Sequence, residues 1–177
     1  MDKSSIKKYE FKFSKEEIEK LNQKLNLTVY PDETTDSDNF FKIDDLKILI
    51  NQWKNLNYDR VEKIFNKFNH FHIHPVDDTE FKLHYIFLPN HTPGSKALML
   101  VHGWPGTFFE VIEPLHKLGY SVVVPSLPGF GFSSIPKKSG YGVKRIAELF
   151  HELMITLGFN EYFVQGGDWG SFVTRWM

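Results

Sequence analysis

Apolar positions along this chain follow two rhythms in turn. From Ser14 to about Phe68 they recur at intervals of three and four residues. Ile18, Leu21 and Leu25 form one stripe, Leu46, Leu49, Ile50, Trp53 and Leu56 a second, and Val61, Ile64, Phe65 and Phe68 a third. Such spacing predicts three short amphipathic helices, the first started by Ser14 and Glu17 at capping-box spacing and the second beginning near Asp44. Phe81, Leu83, Tyr85 and Phe87 then alternate with more polar positions, as a half-buried strand does. Pro89, Pro93 and Gly94 punctuate the stretch around Asn90 to Lys96, and beyond it the pattern changes. Short apolar strands at Ala97–Val101, Ser121–Val124 and Tyr162–Gln165 alternate with helices expected at Thr107–Lys117 and Val143–Leu157. Alternation of this kind predicts βαβ units around a parallel sheet. Thr107 and Glu110 repeat the capping-box spacing, Gly119 sits where a helix stop belongs, and Pro114 predicts an irregular helix between them. In the later helix Val143, Ile146, Ala147, Phe150, Leu153, Met154 and Leu157 make an apolar stripe that ends at Gly158. The expectation is an α/β protein with a helical region over 1–90 and a parallel-sheet region over 91–177.

Composition narrows the partners. The 177 residues are 41% apolar and 24% charged with a formal charge of −1, which suits an ordinary globular chain. Basic and acidic residues are interspersed, so no stripe for nucleic acid is present. With no cysteine, disulfides, thiolate metal sites and cysteine nucleophiles are excluded. The first eight residues lack the apolar core of a signal peptide, and no stretch approaches the ~18 apolar residues of a membrane span. A soluble, cytoplasmic protein is expected on these grounds. The 17 phenylalanines read as core packing and not as a platform for bases.

Chemistry concentrates in Gly166-Gly167-Asp168-Trp169-Gly170, which follows the last strand and precedes a segment able to start a helix. Small residues two before and two after a central residue are what a sharp strand-to-helix elbow requires, because chain segments there approach without a Cβ clash. Such an elbow usually carries Ser; here it carries Asp168. A carboxylate is suited to attack an sp3 carbon and leave an alkyl ester, so epoxide opening and carbon–halogen cleavage both fit. The helix start beyond it favours the ionised form. Taken alone, the five residues read equally well as a Gly-Gly turn whose Asp caps the next helix. His102-Gly103-Trp104-Pro105-Gly106, directly after the strand ending at Val101, adds a second element. A loop in that place supplies one oxyanion donor and the residue after the nucleophile supplies the other, which points to the backbone N–H groups of Trp104 and Trp169. Their indoles also suit the wall of an apolar pocket. His102 reads as a brace for the loop and not as a catalytic group.

The run from His102 through Pro128-Gly129-Phe130-Gly131-Phe132-Ser133 to the Asp168 elbow resembles the epoxide hydrolases of the microsomal and juvenile-hormone type, on an α/β-hydrolase fold. Those enzymes carry an N-terminal meander, and the stretch from Phe11 to Asn69 is similar to it, including Phe11-Lys12-Phe13, the helix to Leu25 and the Trp53 helix. Tyr58-Asp59-Arg60 departs from the family, which usually has a Trp between the Asp and the Arg. The resemblance implies that Asp168 opens a small apolar epoxide and that a His paired with a carboxylate then activates water to release a vicinal diol. Lid tyrosines would bind the departing oxygen, and no metal or organic cofactor is required.

The family places its lid, Tyr pair, acid and catalytic His after the elbow, whereas this chain ends at Met177. His70, His72, His74, His84, His91, His102, His116 and His151 all precede Asp168, and none is assigned as the base. His70, His72 and His74 alternate as metal ligands on one strand face would, but a packed or solvated set is the expected reading. The chain therefore reads as a C-terminally truncated epoxide hydrolase whose last strand leaves an apolar edge. Self-association and absence of turnover are expected of it. A haloalkane dehalogenase is the alternative enzyme, and a non-catalytic product that binds a full-length relative is the alternative from another class.

Overall fold

A computed structural model describes residues 1–32, 42–111 and 119–177. Within them the elements run β1 (Lys7–Tyr9), α1 (Lys15–Asn26), α2 (Ile43–Lys54), α3 (Tyr58–Phe65), β2 (His70–Ile73), β3 (Leu83–Leu88), β4 (Ala97–Val101), β5 (Ser121–Pro125), α4 (Val143–Thr156), β6 (Tyr162–Gly166) and α5 (Trp169–Thr174). Short 3-10 turns lie at Lys3–Ser5 and Phe108–Val111. The remainder of the helix expected over Thr107–Lys117, with Pro114 and His116, lies outside the described residues.

The six strands form one sheet in the order β1-β2-β3-β5-β4-β6. β4 pairs in parallel with β5 and with β6, as the βαβ pattern predicts, but β1, β2 and β3 enter antiparallel. The sheet is thus mixed, and half of its strands come from the first 90 residues. The compact units follow these contacts and not the change of rhythm near Asn90. One comprises Met1–Glu10 with Phe68–Met177, and the other is Phe11–Lys67. Pairing in register, Lys7 against His72 and His70 against Ile86, carries the two early strands into the sheet although they are too short for periodicity to announce them.

Every residue of β5 is buried, which explains its unbroken apolar run: a strand covered on both faces has no reason to alternate. α4 buries Ala147, Leu149, Phe150, Leu153 and Met154, joined in one core with Met99, Val101, Val123 and Val173. Gly158, at φ 94°, takes the left-handed conformation that ends α4, and the Phe159 N–H returns to the Met154 carbonyl at 2.9 Å. In the 11–67 unit, the Phe11 N–H donates to Asn66 Oδ1 at 2.8 Å and Asn66 Nδ2 donates back to the Phe11 carbonyl at 2.7 Å. The Phe13 N–H donates to Glu62 Oε1 at 2.7 Å, and the Phe13 ring meets Tyr58 edge-on. α3 and its C-cap residue Asn66 therefore bind the Phe11-Lys12-Phe13 segment through their side chains. α2 buries only Ile50; Leu49, Trp53 and Leu56 of the same stripe remain substantially exposed.

The alternating histidines do not act as a set. His70 Nδ1 lies 2.9 Å from His84 Nε2, and His84 Nδ1 lies 2.8 Å from Ser126 Oγ, all within the core. His72 Nε2 donates to the Phe132 carbonyl at 3.0 Å. Among the described residues no group of three or more His, Cys, Asp or Glu is placed to hold a metal ion. Burial, followed by the nearby His70, His72 and His102 rings, pushes the His84 imidazole down to about 2. The unfolded chain takes a proton there near 6.5 whereas the folded chain does not, so the fold binds fewer protons between those values. Stability should be full above about 6.5 and fall below it by about 1.4 kcal/mol per pH unit from this ring. Urea midpoints at several pH values between 7.5 and 5 should show the decline, and His84→Phe should flatten it. Equal slopes in the two proteins would refute the assignment.

Candidate active site

The parallel register of β4 and β6 sets Val101 opposite Gly166. The chain therefore leaves both strands at the same level and on the same end of the sheet. One exit becomes His102-Gly103-Trp104-Pro105-Gly106 and the other the elbow at Asp168, so the structure brings the two sequence motifs together.

Asp168 holds φ at 51° and ψ at −126°, the one non-glycine with positive φ among the described residues. A branched carboxylate side chain is strained there, and strain of this kind persists only where the surroundings dictate it. The surroundings here are backbone. A Cβ on Gly170 would collide with the carbonyls of Val101 and His102, and one on Gly166 with the Gly170 carbonyl. A Cβ on Gly103 would meet the Asp168 side chain itself, 2.8 Å from Oδ1. These three glycines let the elbow, β4 and the Trp104 loop close upon one another. Gly167 has open space around it.

The Asp168 side chain does not cap α5. Its Oδ1 accepts the Trp104 N–H from the other loop at 2.9 Å, although 64 residues separate the two in sequence. The backbone N–H groups of Trp104, first, and of Trp169 hold the carboxyl below its usual range, against the opposing pull of desolvation. The group is solvent-exposed and ionised at neutral pH. An ionised carboxylate facing two backbone N–H groups has the chemistry required of a nucleophile beside an oxyanion cradle.

His102 is 2% exposed and ties this loop to the next one. Its Nε2 accepts the Leu127 N–H at 3.0 Å, which fixes the tautomer: Nδ1 carries the proton and donates to the Gly103 carbonyl at 3.0 Å. Burial lowers the imidazole's pKa despite that second bond, so the ring stays neutral and braces the loop. Pro105 follows Trp104 through a cis peptide. The ring contacts of His70, His72, His84, His102 and His151 lie elsewhere than Asp168, His151 being 2.6 Å from the Tyr162 hydroxyl.

Beside Trp169 opens a cavity of about 420 Å³ whose walls include Leu127, Phe130, Tyr141, Ile146, Trp169 and Val173. The sequence pointed to the indoles of Trp104 and Trp169 as a pocket wall; Trp169 lines this cavity, Trp104 does not, and the other lining residues were not foreseen. Apolar residues of a loop and of a helix stripe carry no signal that distinguishes a pocket lining from a core.

A family model described as epoxide hydrolase N terminus matches residues 6–111, and one described as alpha/beta hydrolase fold matches residues 96–177. Epoxide hydrolase 1 of Oryctolagus cuniculus is 34% identical over 98% of this chain and 42% of its own length. Juvenile hormone epoxide hydrolase 1 of Ctenocephalides felis is 34% identical over 96% of this chain and 39% of its own. Among solved structures, the juvenile hormone epoxide hydrolase of the silkworm Bombyx mori superimposes with a TM-score of 0.82 at 28% identity, over 98% of this chain and 44% of that one. The Aspergillus niger epoxide hydrolase gives 0.84 at 28% identity, over 97% of this chain and 48% of that one. The chain thus spans about two-fifths of the length of the curated relatives it matches.

The backbone contacts at the elbow make a direct expectation. Gly170→Ala should destabilise the chain by about 1–3 kcal/mol through overpacking against Val101, whereas Gly167→Ala should stay within about 0.5 kcal/mol. Urea denaturation of the two variants distinguishes them; similar losses would contradict the described approach.

Proposed function

The chain belongs to the epoxide hydrolase family, and from that premise we propose that its Asp168 region is the nucleophilic half of an epoxide-opening site. The observation that carries this reading is the ionised Asp168 carboxylate, held at positive φ with its Oδ1 on the Trp104 N–H at 2.9 Å. One carboxylate oxygen attacks a ring carbon of a small apolar epoxide, a C–O ester bond forms, the ring C–O bond breaks, and the departing oxygen takes a proton from water. Water then adds to the ester carbonyl, the backbone N–H groups of Trp104 and Trp169 hold the resulting oxyanion, and collapse releases a vicinal diol and the free carboxylate. This step needs a general base. His102, the histidine nearest in sequence to the Trp104 loop, is neutral and has both ring nitrogens engaged, so it does not serve. Hydrolysis of the ester therefore depends on groups other than those gathered around Asp168 here. The match of the epoxide hydrolase N-terminal model over residues 6–111 favours epoxides over haloalkanes as the substrate class.

The 177-residue chain incubated with 1,2-epoxyoctane should gain one equivalent of epoxide mass on the peptide containing Asp168, with no multiple turnover to diol. Asp168→Asn should gain none. Diol formation over many turnovers that Asp168→Asn abolishes would contradict the half-site reading, and absence of any adduct on the wild-type chain would contradict the nucleophile assignment.

A second copy of the chain is the proposed partner at the free edge of β6. That strand ends the sheet and exposes Phe163, with Phe172 and Trp176 exposed on the following segment. The opposite edge strand, β1, carries Lys7 and Lys8, residues that discourage edge pairing. Light scattering should find concentration-dependent oligomers that Phe163→Lys reduces; a monomer at all concentrations would oppose this part. Among the described residues no helix is long and apolar enough to cross a membrane.

A further inference from the structure

We propose that Glu110 is a positioning residue for the Asp168 site, its carboxylate seated on the bare backbone of Gly106 so that the Trp104 N–H stays directed at Asp168. The inference rests on the reading of Asp168 as nucleophile and adds to it what holds the donor loop in place.

The loop 102–106 is fastened unevenly. Its first residue, His102, accepts the Leu127 N–H at 3.0 Å, and its middle residue, Trp104, donates to Asp168 Oδ1 at 2.9 Å. Pro105 and Gly106 make no hydrogen bond to any described residue. What this far end meets instead is a side chain. A Cβ on Gly106 would fall on both carboxylate oxygens of Glu110, so the carboxylate fills the space that a side chain at 106 would take.

Glu110 is itself held from the core. It belongs to the 3-10 turn Phe108–Val111, and Phe108, fully buried, packs on the rings of His84 and Phe132 at centroid distances of 5.0 and 5.1 Å. Within the turn the Glu110 N–H donates to the Thr107 carbonyl and the Phe109 N–H to Thr107 Oγ1, each at 3.3 Å. The spacing of Thr107 and Glu110 is that of a capping box, in which the carboxylate would take a backbone N–H at the start of the turn. Among the described residues, however, nothing donates a hydrogen bond to the Glu110 carboxylate, and it enters no ion pair. Its contact is with Gly106. Its charge also reaches the opposite end of the loop: burial lowers the pKa of the His102 ring, and the Gly103 carbonyl and then Glu110 oppose that lowering. One carboxylate thus acts on both ends of the loop whose middle supplies the donor.

The consequence for Asp168 is geometric. Trp104 is next but one to Gly106, and a hydrogen bond weakens steeply as its angle closes. With the carboxylate gone, the Pro105-Gly106 end can settle into the vacated space and turn the Trp104 N–H away from Asp168. Glutamine fills that space without the charge, and alanine leaves it open. A methyl group at 106 would expel the carboxylate and produce the same displacement from the other side of the contact.

Isotope labelling of the tryptophan nitrogens in the 177-residue chain reads this directly, the Trp104 backbone amide being assigned by its loss in Trp104→Phe. Asp168→Asn marks where that signal lies once the charged acceptor is removed. Glu110→Ala should move the Trp104 amide upfield, toward that place, whereas Glu110→Gln should leave it near the wild-type position. Gly106→Ala should reproduce the Glu110→Ala shift, and the double variant should add nothing further, as two residues acting through one contact require. The Trp53 and Trp176 amides should stay in place throughout, with far-ultraviolet spectra and melts as the fold control. Should Glu110→Ala not fold, Glu110→Asp, whose carboxylate stops one methylene short of Gly106, should give the same shift in smaller degree. A Trp104 amide unmoved in whichever of these variants folds would overturn the inference. An equal shift in Glu110→Gln would overturn it too, by tracing the effect to charge and not to the filled space. Absence of an epoxide adduct on the wild-type chain, with the Trp104 shifts as expected, would instead count against the nucleophile reading and leave the positioning role standing.

Discussion

The parallel pairing of β4 with β6 is the constraint on which the candidate site depends. With Val101 opposite Gly166, both strands release their loops at one level, and a carboxylate from one loop reaches a backbone N–H from the other. A slip by one residue would turn the side chains of β6 to the opposite faces and carry Asp168 away from Trp104. The register in turn requires bare backbone at the crossing. Gly166 and Gly170 permit the strand, the elbow and the end of β4 to touch, and Gly103 leaves room for the Asp168 side chain. The positive φ of Asp168 is the local cost of this closure, sustained by the packing of α5 on the core through Val173.

Buried polar groups do the remaining work of placing loops. His84, completely buried, satisfies both ring nitrogens and its own N–H through His70, Ser126 and Ser133. Such a network is stabilising only while every member is paired and neutral, because an unpaired or charged ring in that environment loses its solvation without compensation. It fastens the 126–134 loop to β3. His102 ties the Trp104 loop to that same loop at Leu127, and its tautomer follows from the direction of the Leu127 N–H. The cavity beside Trp169 is therefore walled in part by a loop whose position is set by hydrogen bonds to buried histidines.

The division of the chain illustrates how periodicity and contact differ. Hydrophobic rhythm changes near Asn90, where helices give way to strands, yet the compact units separate Phe11–Lys67 from everything else. β1 and β2 are three and four residues long, too short to register as alternation, and the sheet claims them through backbone pairing that is indifferent to side-chain pattern. For the same reason the sheet is mixed. The βαβ pattern correctly placed β4, β5 and β6 in parallel, while β3 joins β5 antiparallel across a connection whose direction no residue pattern encodes. The reverse holds in α2: its stripe was legible as a helix face, but only Ile50 of it is buried.

By itself the sequence determined which residues are candidates for the chemistry: an aspartate between small residues after a strand, a Trp-bearing loop after an earlier one, and an α/β pattern to carry both. These are local properties, since turn geometry, strand alternation and helix capping depend on residues within a few positions of one another. Tertiary structure alone decided that Trp104 faces Asp168, that the aspartate leaves α5 uncapped to do so, that His70 pairs with His84 instead of with His72 and His74, and that Leu127, Tyr141, Ile146 and Val173 surround one space. Each of these joins residues far apart in sequence. Their meeting follows from register and packing, which many side chains fix jointly and no single stretch of the chain records.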